Sequence, residues 1–454
     1  MPAGPGPSDK GLYVVYAPPM LRAPNSNSVS GHGLDVDFPR DLVTLVAVFI
    51  ALLFFYSLVS ARLERTVVTA PMVFTAAGMG VFLMLSAVPA WEGDREFFLH
   101  VAEVGLVLLL FTDASRTDLS VLNDIRNLSA RLLTTGLLLT MLLGALAALV
   151  LFRQLSVWEA GIVGAILAPT DAGLGQVIVN SPRVPTRIRQ ALNVEAGLND
   201  GLSVPFLLFF IVLASTGTAA QDARLGRLIL EQLGYGVIVG AGIGGIGGVL
   251  LGLARRRGWI ADSFLQLGVV ALPLLCSLAS EAAAASMFIA AFVAGLAVQF
   301  GFREAGKHSV EFTEEWGQLF NLSIFFLFGL LVARAWPDFK LAHLFYAVLS
   351  LTVARMLPVA VALIGTRLRQ ATVLFMGWFG PRGLASIVLG VVYLERAPHL
   401  PGTSTVRLAV MMTVLVSIFA HGLSAMPGIN LYARAVTGLD SNAPENQGAA
   451  QGRA

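Results

Sequence analysis

The stretch NVEAGLNDG, residues 193–201, sets two carboxylates, Glu195 and Asp200, beside the amides Asn193 and Asn199, and then runs into the apolar LSVPFLLFFIVLA. Four more ionisable residues lie in comparably apolar surroundings: Glu103 in HVAEVGLVLLLF, Asp171 in ILAPTDAGLGQ, Arg355 in LTVARMLPV and Arg382 in GWFGPRGLAS. A charged side chain at the centre of a bilayer costs about 2.5–3.5 kcal/mol on insertion scales, so six of them would cost roughly 15–20 kcal/mol if left in lipid. That exceeds the net stability of a typical domain, and the six must therefore face one another or water. The set holds four acids and two bases, which leaves two carboxylates over. An acid withdrawn from water without a basic partner resists ionisation. It can trade a proton near neutral pH, or hold a small cation that offsets its charge. On a helix, Glu195 and Asn199 are four apart and share a face, with Asp200 on its flank, so Asn199 and Asp200 can offer two oxygens to one site.

Other polar residues have plainer readings. Glu103 also fits a helix-end carboxylate in water, whereas Arg355 sits too deep in its segment to snorkel and reads as half of a buried pair. Asp113, Arg116 and Asp118 in FTDASRTDLS read as a capped, solvated loop. His421 in SIFAHGLSAMPG reads as a packed or interfacial histidine, and Asn321 and Ser323 as packing contacts between helices.

These side chains need a membrane scaffold, and the composition supplies one. Of 454 residues, 56% are hydrophobic and only 13% are charged, against about a quarter charged in soluble proteins; the mean hydropathy is +0.76. The net charge of +2 points to no nucleic-acid partner. A single cysteine, Cys276, excludes an intramolecular disulfide framework, and no CxxC or HExxH pattern occurs, so neither an enzyme's metal centre nor a cofactor is expected. Residues 1–38 and 435–454, rich in Pro, Gly, Ser and Asn, read as flexible tails.

Apolar runs long enough to cross about 30 Å of hydrocarbon fall near 41–61, 68–88, 95–112, 128–152, 157–178, 187–214, 228–253, 262–280, 283–300, 314–334, 340–365, 372–394 and 404–430. The expected fold is therefore an all-α polytopic membrane protein of thirteen transmembrane helices. Basic residues follow the odd-numbered spans: Arg62 and Arg65; Arg116, Arg126 and Arg131; Arg183, Arg187 and Arg189; Arg255, Arg256 and Arg257; Arg303 and Lys307; Arg367 and Arg369. Positive loops face the cytoplasm, which puts the N-terminus outside and the C-terminus inside, in the plasma (cell inner) membrane.

Spans five and twelve are both interrupted, by Pro169, Gly173 and Gly175 in one and by Gly377, Gly380, Pro381 and Gly383 in the other. Each carries one charge at the break, Asp171 or Arg382, suited to neutralise half-helix ends. Backbone freed inside a membrane needs protein or a water-filled cavity to receive it. Because five and twelve are seven apart, the two spans run in opposite directions, as in an inverted repeat of spans 1–6 and 8–13 joined by span seven. Paired interrupted spans of this kind point to a transporter's binding site. Span seven, GYGVIVGAGIGGIGGVLLG, has the small residues of close helix packing.

A carboxylate that alternates between a proton and a small cation is the chemistry of a cation/proton exchanger. The segments LVLLLFTDASRTDL, ILAPTDAGLGQVIVNSPRVPTRIRQALNVEAGLNDG, MFIAAFVAGLAV, VARMLPVA and FGPRGLASIV, in this order, resemble the monovalent cation/proton antiporters of the NhaP and Na+/H+-exchanger type over residues 40–432. The resemblance implies a homodimer in which a core bundle (126–220 and 339–434) slides against a dimer domain (39–125 and 259–338), with 221–258 as the linker helix. It implies that Asp200 binds cation and proton in turn, supported by Asn199, with Asp171 and the backbone of Thr170 lining the site. It pairs Glu195 with Arg355 and offers Glu103 as partner to Arg382. That leaves Asp171 and Asp200 over. The Asn-Asp pair resembles the electroneutral branch, one cation per proton.

Two positions depart from the family pattern: Ala196 stands where many relatives have Ser, and Ala172 where they have Pro. The lost hydroxyl bears on cation choice, so Na+ is the expected substrate with K+ as the alternative and Li+ a third candidate. A cation channel is the rival from another class, but no filter-like repeat is present. A membrane protease using Asp171 and Asp200 as a dyad would leave both arginines unexplained, and an organic-anion carrier has no use for the free acids.

Overall fold

The computed structural model of the chain describes residues 40–63, 66–84, 95–116, 128–215, 222–302, 305–397, 399–439 and 443–446. The expected N-terminal tail, Arg65, Asp118, Arg126 and Arg303 lie outside them. In chain order the helices are α1 (Arg40–Leu63), α2 (Ala70–Met84), α3 (Arg95–Arg116), α4 (Leu128–Leu151), α5 (Val157–Ile166), α6 (Ala172–Val179), α7 (Thr186–Ser215), α8 (Asp222–Arg256), α9 (Asp262–Ala282), α10 (Met287–Gly301), α11 (Ala305–Ala335), α12 (Leu341–Leu351), α13 (Val353–Ala362), α14 (Gln370–Trp378), α15 (Leu384–Arg396) and α16 (Thr403–Val436). Eight helices among the described residues are long and apolar enough to span a bilayer, and four shorter ones are equally apolar. This is a multi-pass membrane protein. Ile50, Phe54, Phe55 and Leu58 on α1, with Ile238, Ile246 and Leu250 on α8, turn apolar side chains outward.

The two interruptions foreseen in the sequence separate α5 from α6 and α14 from α15. A third, unforeseen, falls at Thr352 between α12 and α13, where the Thr352 hydroxyl donates back to the Val348 carbonyl at 2.6 Å, a bond known to bend helices. A π-helical turn, Leu132–Gly136, is built into α4. Asp113 corrects the loop reading of FTDASRTDLS: α3 continues through it to Arg116, carried by the buried Phe111, Ala114 and Ser115 around it.

Helix contacts fall into two neighbourhoods. In one, α10 packs on α8, α3 and α9, and α11 on α2 and α3; in the other, α5 packs on α4 and α7, α12 on α16, and α13 on α4 and α14. Between α8 and α10 the contact is backbone on backbone. A Cβ at Gly240, Gly244, Gly248 or Gly252 would collide with the carbonyl oxygens of Ala290, Ala294, Val298 and Gly301 respectively. Small residues at this spacing are what let two membrane helices approach closely. Gly78 and Gly329 do the same reciprocally for α2 and α11, against Phe326 and Thr75.

Part of the segment read as a loose C-terminal tail is held. Beyond α16, Glu445 accepts from the Arg369 backbone N–H at 2.9 Å and from the Thr372 hydroxyl at 3.0 Å, and Arg187 donates to the Pro444 carbonyl. Glu445 thereby gives the N-terminus of α14 a carboxylate, which the dipole of that helix favours.

Candidate functional site

The first interruption is organised by Asp171. It is the N-cap of α6, in an extended conformation, and its Oδ1 accepts from the Leu174 N–H at 3.0 Å. Its other oxygen, Oδ2, accepts from the Leu384 N–H at 2.5 Å, the first residue of α15, and its own N–H donates to the Pro381 carbonyl at 2.8 Å. One carboxylate thus serves the positive ends of two half-helices. Gly383 is required for this approach, since a Cβ there would overlap the Asp171 carboxylate.

Arg382 does the converse for the negative end of α5. Its Nη1 donates to the carbonyls of Ala168 at 2.8 Å and Pro169 at 2.9 Å, and Ser386 donates to the Ile166 carbonyl at 2.8 Å. The guanidinium is fully buried and anchored on backbone carbonyls, where the resemblance offered Glu103. Glu103 itself lies on α3 and is half-buried.

The second cluster lies on α7, where Glu195, Asn199, Asp200 and Ser203 are all buried. Glu195 Oε1 and Arg355 Nη1 are 2.5 Å apart, both residues almost wholly enclosed. Gly380 makes room for that guanidinium, which a Cβ would strike. One turn further on, Asn199 Nδ2 donates to Thr170 Oγ1 at 2.8 Å, joining α7 to the first interruption. Asn199 Oδ1 and Asp200 Oδ1 are buried with no hydrogen-bond donor upon them. A buried acceptor in that condition costs about 1–3 kcal/mol, more if charged. The charges of Asp113 on α3, Asp171 and Arg382 all bear on Asp200.

The structure thus brings Thr170, Asp171, Asn199 and the Glu195–Arg355 pair together around the meeting point of two interrupted helices, with Asp200 beside Asn199 on α7. A recess lined by Thr170, Asp171, Gly175, Ile178, Val179, Leu192, Ala196, Phe379 and Pro381 reaches Asp171 from the side of α6 and α7. Chemically, Asp200 Oδ1 and Asn199 Oδ1, on successive residues of α7, are two hard oxygens without donors; the carboxyl can take a proton, and oxygens of this kind suit a small cation. The charge count left Asp171 over, but the structure gives it two backbone N–H partners, which a tally of side-chain charges does not include. Sequence reasoning set Asp113 in a loop, whereas its Cβ lies 3.6 Å from where a Cβ on Gly197 would stand, and it passed over Ser417, whose hydroxyl accepts from the Arg382 N–H at 2.6 Å.

The family described as sodium/hydrogen exchanger, transmembrane, matches residues 46–429. A probable Na+/H+ antiporter of Schizosaccharomyces pombe is 27% identical over 313 residues, covering 60% of this chain and 40% of that protein. A K+/H+ antiporter, NhaP, of Alkalimonas amylolytica is 25% identical over 404 residues, covering 85% of this chain and 67% of that one. The chain therefore matches well under the full length of these relatives. The solved sodium proton antiporter MjNhaP1 of Methanocaldococcus jannaschii shares the fold, with a TM-score of 0.71 at 20% identity, over 88% of this chain and 100% of that one.

Proposed function

The chain belongs to the sodium/hydrogen exchanger family, and on that premise we propose that it is a secondary active transporter exchanging a monovalent cation for a proton by alternating access. The observation that carries this is Asp200, a carboxyl group buried in α7 with an oxygen that no donor reaches, on the residue that follows Asn199, whose amide oxygen is equally bare. A proton or a monovalent cation each neutralises that acid, and occupancy by one displaces the other. Exchange of one for one is then electroneutral. Asn199 and Thr170, bonded to each other, and Asp171 line the site, while Glu195–Arg355 is a structural pair. Na+ is the cation of this reading. A second reading, K+ for H+, draws support from the K+/H+ antiporter of Alkalimonas amylolytica, which matches over 85% of this chain.

The working architecture is thirteen crossings in an inverted repeat, with broken spans five and twelve crossing at the site. The backbone bond from Asp171 to Pro381 supports it. The core bundle (126–220 and 339–434) carries Asp200 and moves against 39–125 and 259–338, which form the homodimer contact, with 221–258 as linker. The N-terminus lies outside and the C-terminus inside the plasma membrane.

The test is reconstitution of the purified protein with a pH dye inside, an acid-inside gradient, the voltage clamped by an ionophore, and Na+, K+ or Li+ added outside in turn. Cation-triggered alkalinisation in wild type and none in Asp200→Asn is the expected result and identifies the ion. Cation flux that follows voltage with no pH response would overturn the exchange mechanism.

A further inference from the structure

The backbone of the second interruption, Phe379–Gly383, is held from one face of α16. His421 Nε2 is 2.8 Å from the carbonyl oxygen of Trp378, the last residue of α14, and its Nδ1 is 3.2 Å from Ser417 Oγ and 3.0 Å from the Ser417 carbonyl. Ser417 Oγ in turn accepts from the Arg382 N–H at 2.6 Å. One proton arrangement links the side chains into a chain, with the Ser417 carbonyl left beside the Nδ1 lone pair. The neutral imidazole carries its hydrogen on Nε2 and donates to Trp378, the Ser417 hydroxyl donates to Nδ1, and the Arg382 N–H donates to the serine oxygen. The alternative neutral tautomer donates from Nδ1 to the Ser417 carbonyl and leaves the Trp378 carbonyl, at the break itself, facing the Nε2 lone pair. The Trp378 ring stacks on the imidazole with centroids 5.0 Å apart, and its Nε1 donates to Ser424 Oγ at 2.9 Å, so Ser417, His421 and Ser424 grip both ends of the break.

From Arg382 the connection continues through its side chain to the carbonyls of Ala168 and Pro169, then along the chain to Thr170 and across to Asn199. We propose that His421 and Ser417 are positioning residues of the transport site: they fix the backbone of Arg382, and Arg382 fixes the carbonyl strand on which Thr170 meets Asn199. The inference rests on the reading that Asn199 and Asp200 take the cation. Both residues are enclosed, and their hydrogen bonds go to Trp378, Arg382 and each other rather than to Asn199 or Asp200.

The test uses the full chain in proteoliposomes with Ser417→Ala, His421→Leu and His421→Gln, and adds amide hydrogen exchange on the peptide containing Arg382. Ser417→Ala and His421→Leu should each raise the apparent KM for the driving cation about five- to tenfold, with the maximal rate held within about twofold. Both should also speed exchange at the Arg382 amide. His421→Gln, which keeps an N–H for the Trp378 carbonyl, should return KM and amide protection towards wild type. Folded variants with an unchanged KM overturn the proposal, whether or not the amide exchanges faster. Should His421→Leu fail to fold, Ser417→Ala decides the matter alone. If wild type itself moves no protons in response to cations, the transport reading falls, and amide exchange still reports the His421–Ser417–Arg382 connection separately.

Discussion

Asp171 Oδ2 lies 2.5 Å from the backbone nitrogen of Leu384, a residue 213 positions later in the chain. With Leu174 on its other oxygen, this carboxylate closes the first turns of α6 and α15 together. Its two partners are both donors, and the charge of the group is shared between two helix ends.

Asn at position 171 would present one oxygen and one NH2, and the NH2 would face a backbone donor. Asp171→Asn should therefore lose one cap, costing about 0.5–2 kcal/mol, and should cripple exchange. Thermal unfolding of the purified protein and the proteoliposome assay, run side by side, check both halves.

Asp200 makes the opposite case. Its Oδ1 accepts nothing, so Asp200→Asn removes no bond there and takes a charge out of the interior. Exchange should vanish while the melting temperature stays level or rises. A variant that exchanged at the wild-type rate would remove Asp200 from the mechanism.

The Glu195–Arg355 pair is enclosed enough that losing one partner strands the other. Glu195→Ala should destabilise by about 3–5 kcal/mol. Glu195→Leu combined with Arg355→Met should recover much of that, because a well-packed apolar pair carries no desolvation cost. Denaturation of the single and double variants measures the coupling.

Within α8 the glycines separate into two groups. Gly244→Ala drives a methyl into the Ala294 carbonyl, whereas nothing lies within 4 Å of a Cβ at Gly245. The first should cost about 1–3 kcal/mol, and Gly245→Ala should be neutral or slightly stabilising. Melting temperatures in detergent distinguish them.

Glu445 caps α14 through Arg369 and Thr372. Glu445→Ala should cost about 0.5–2 kcal/mol, and protease cleavage after α16 should become faster. Limited proteolysis of wild type and variant reads this out.

Cost made Glu195, Asn199 and Asp200 legible in the sequence, since polar groups in hydrocarbon need a reason. The positions of both interruptions were legible for the same reason, because Pro and Gly cluster there. The partners of Asp171 were not, because backbone N–H groups carry no letter and only the meeting of α6 with α15 reveals them. Asp113 was misread because FTDASRTDLS has the composition of a turn, while burial of Phe111, Ala114 and Ser115 keeps it helical. His421 was legible only as a packed histidine, and Ser417, four residues before it on the same apolar helix, carried no signal of its own. Their task became visible only with the unsatisfied backbone of the opposite break.

The glycines of α8 that meet carbonyls of α10 recur every four residues, a spacing of about 6 Å along the helix axis. A slide of α8 along α10 by a smaller step would bring side chains over those carbonyls, so the contact behaves as a ratchet whose stops lie one four-residue repeat apart. Displacement of half a turn is the least favourable. In the exchange cycle proposed above, α8 and α10 are therefore expected to move as one strut.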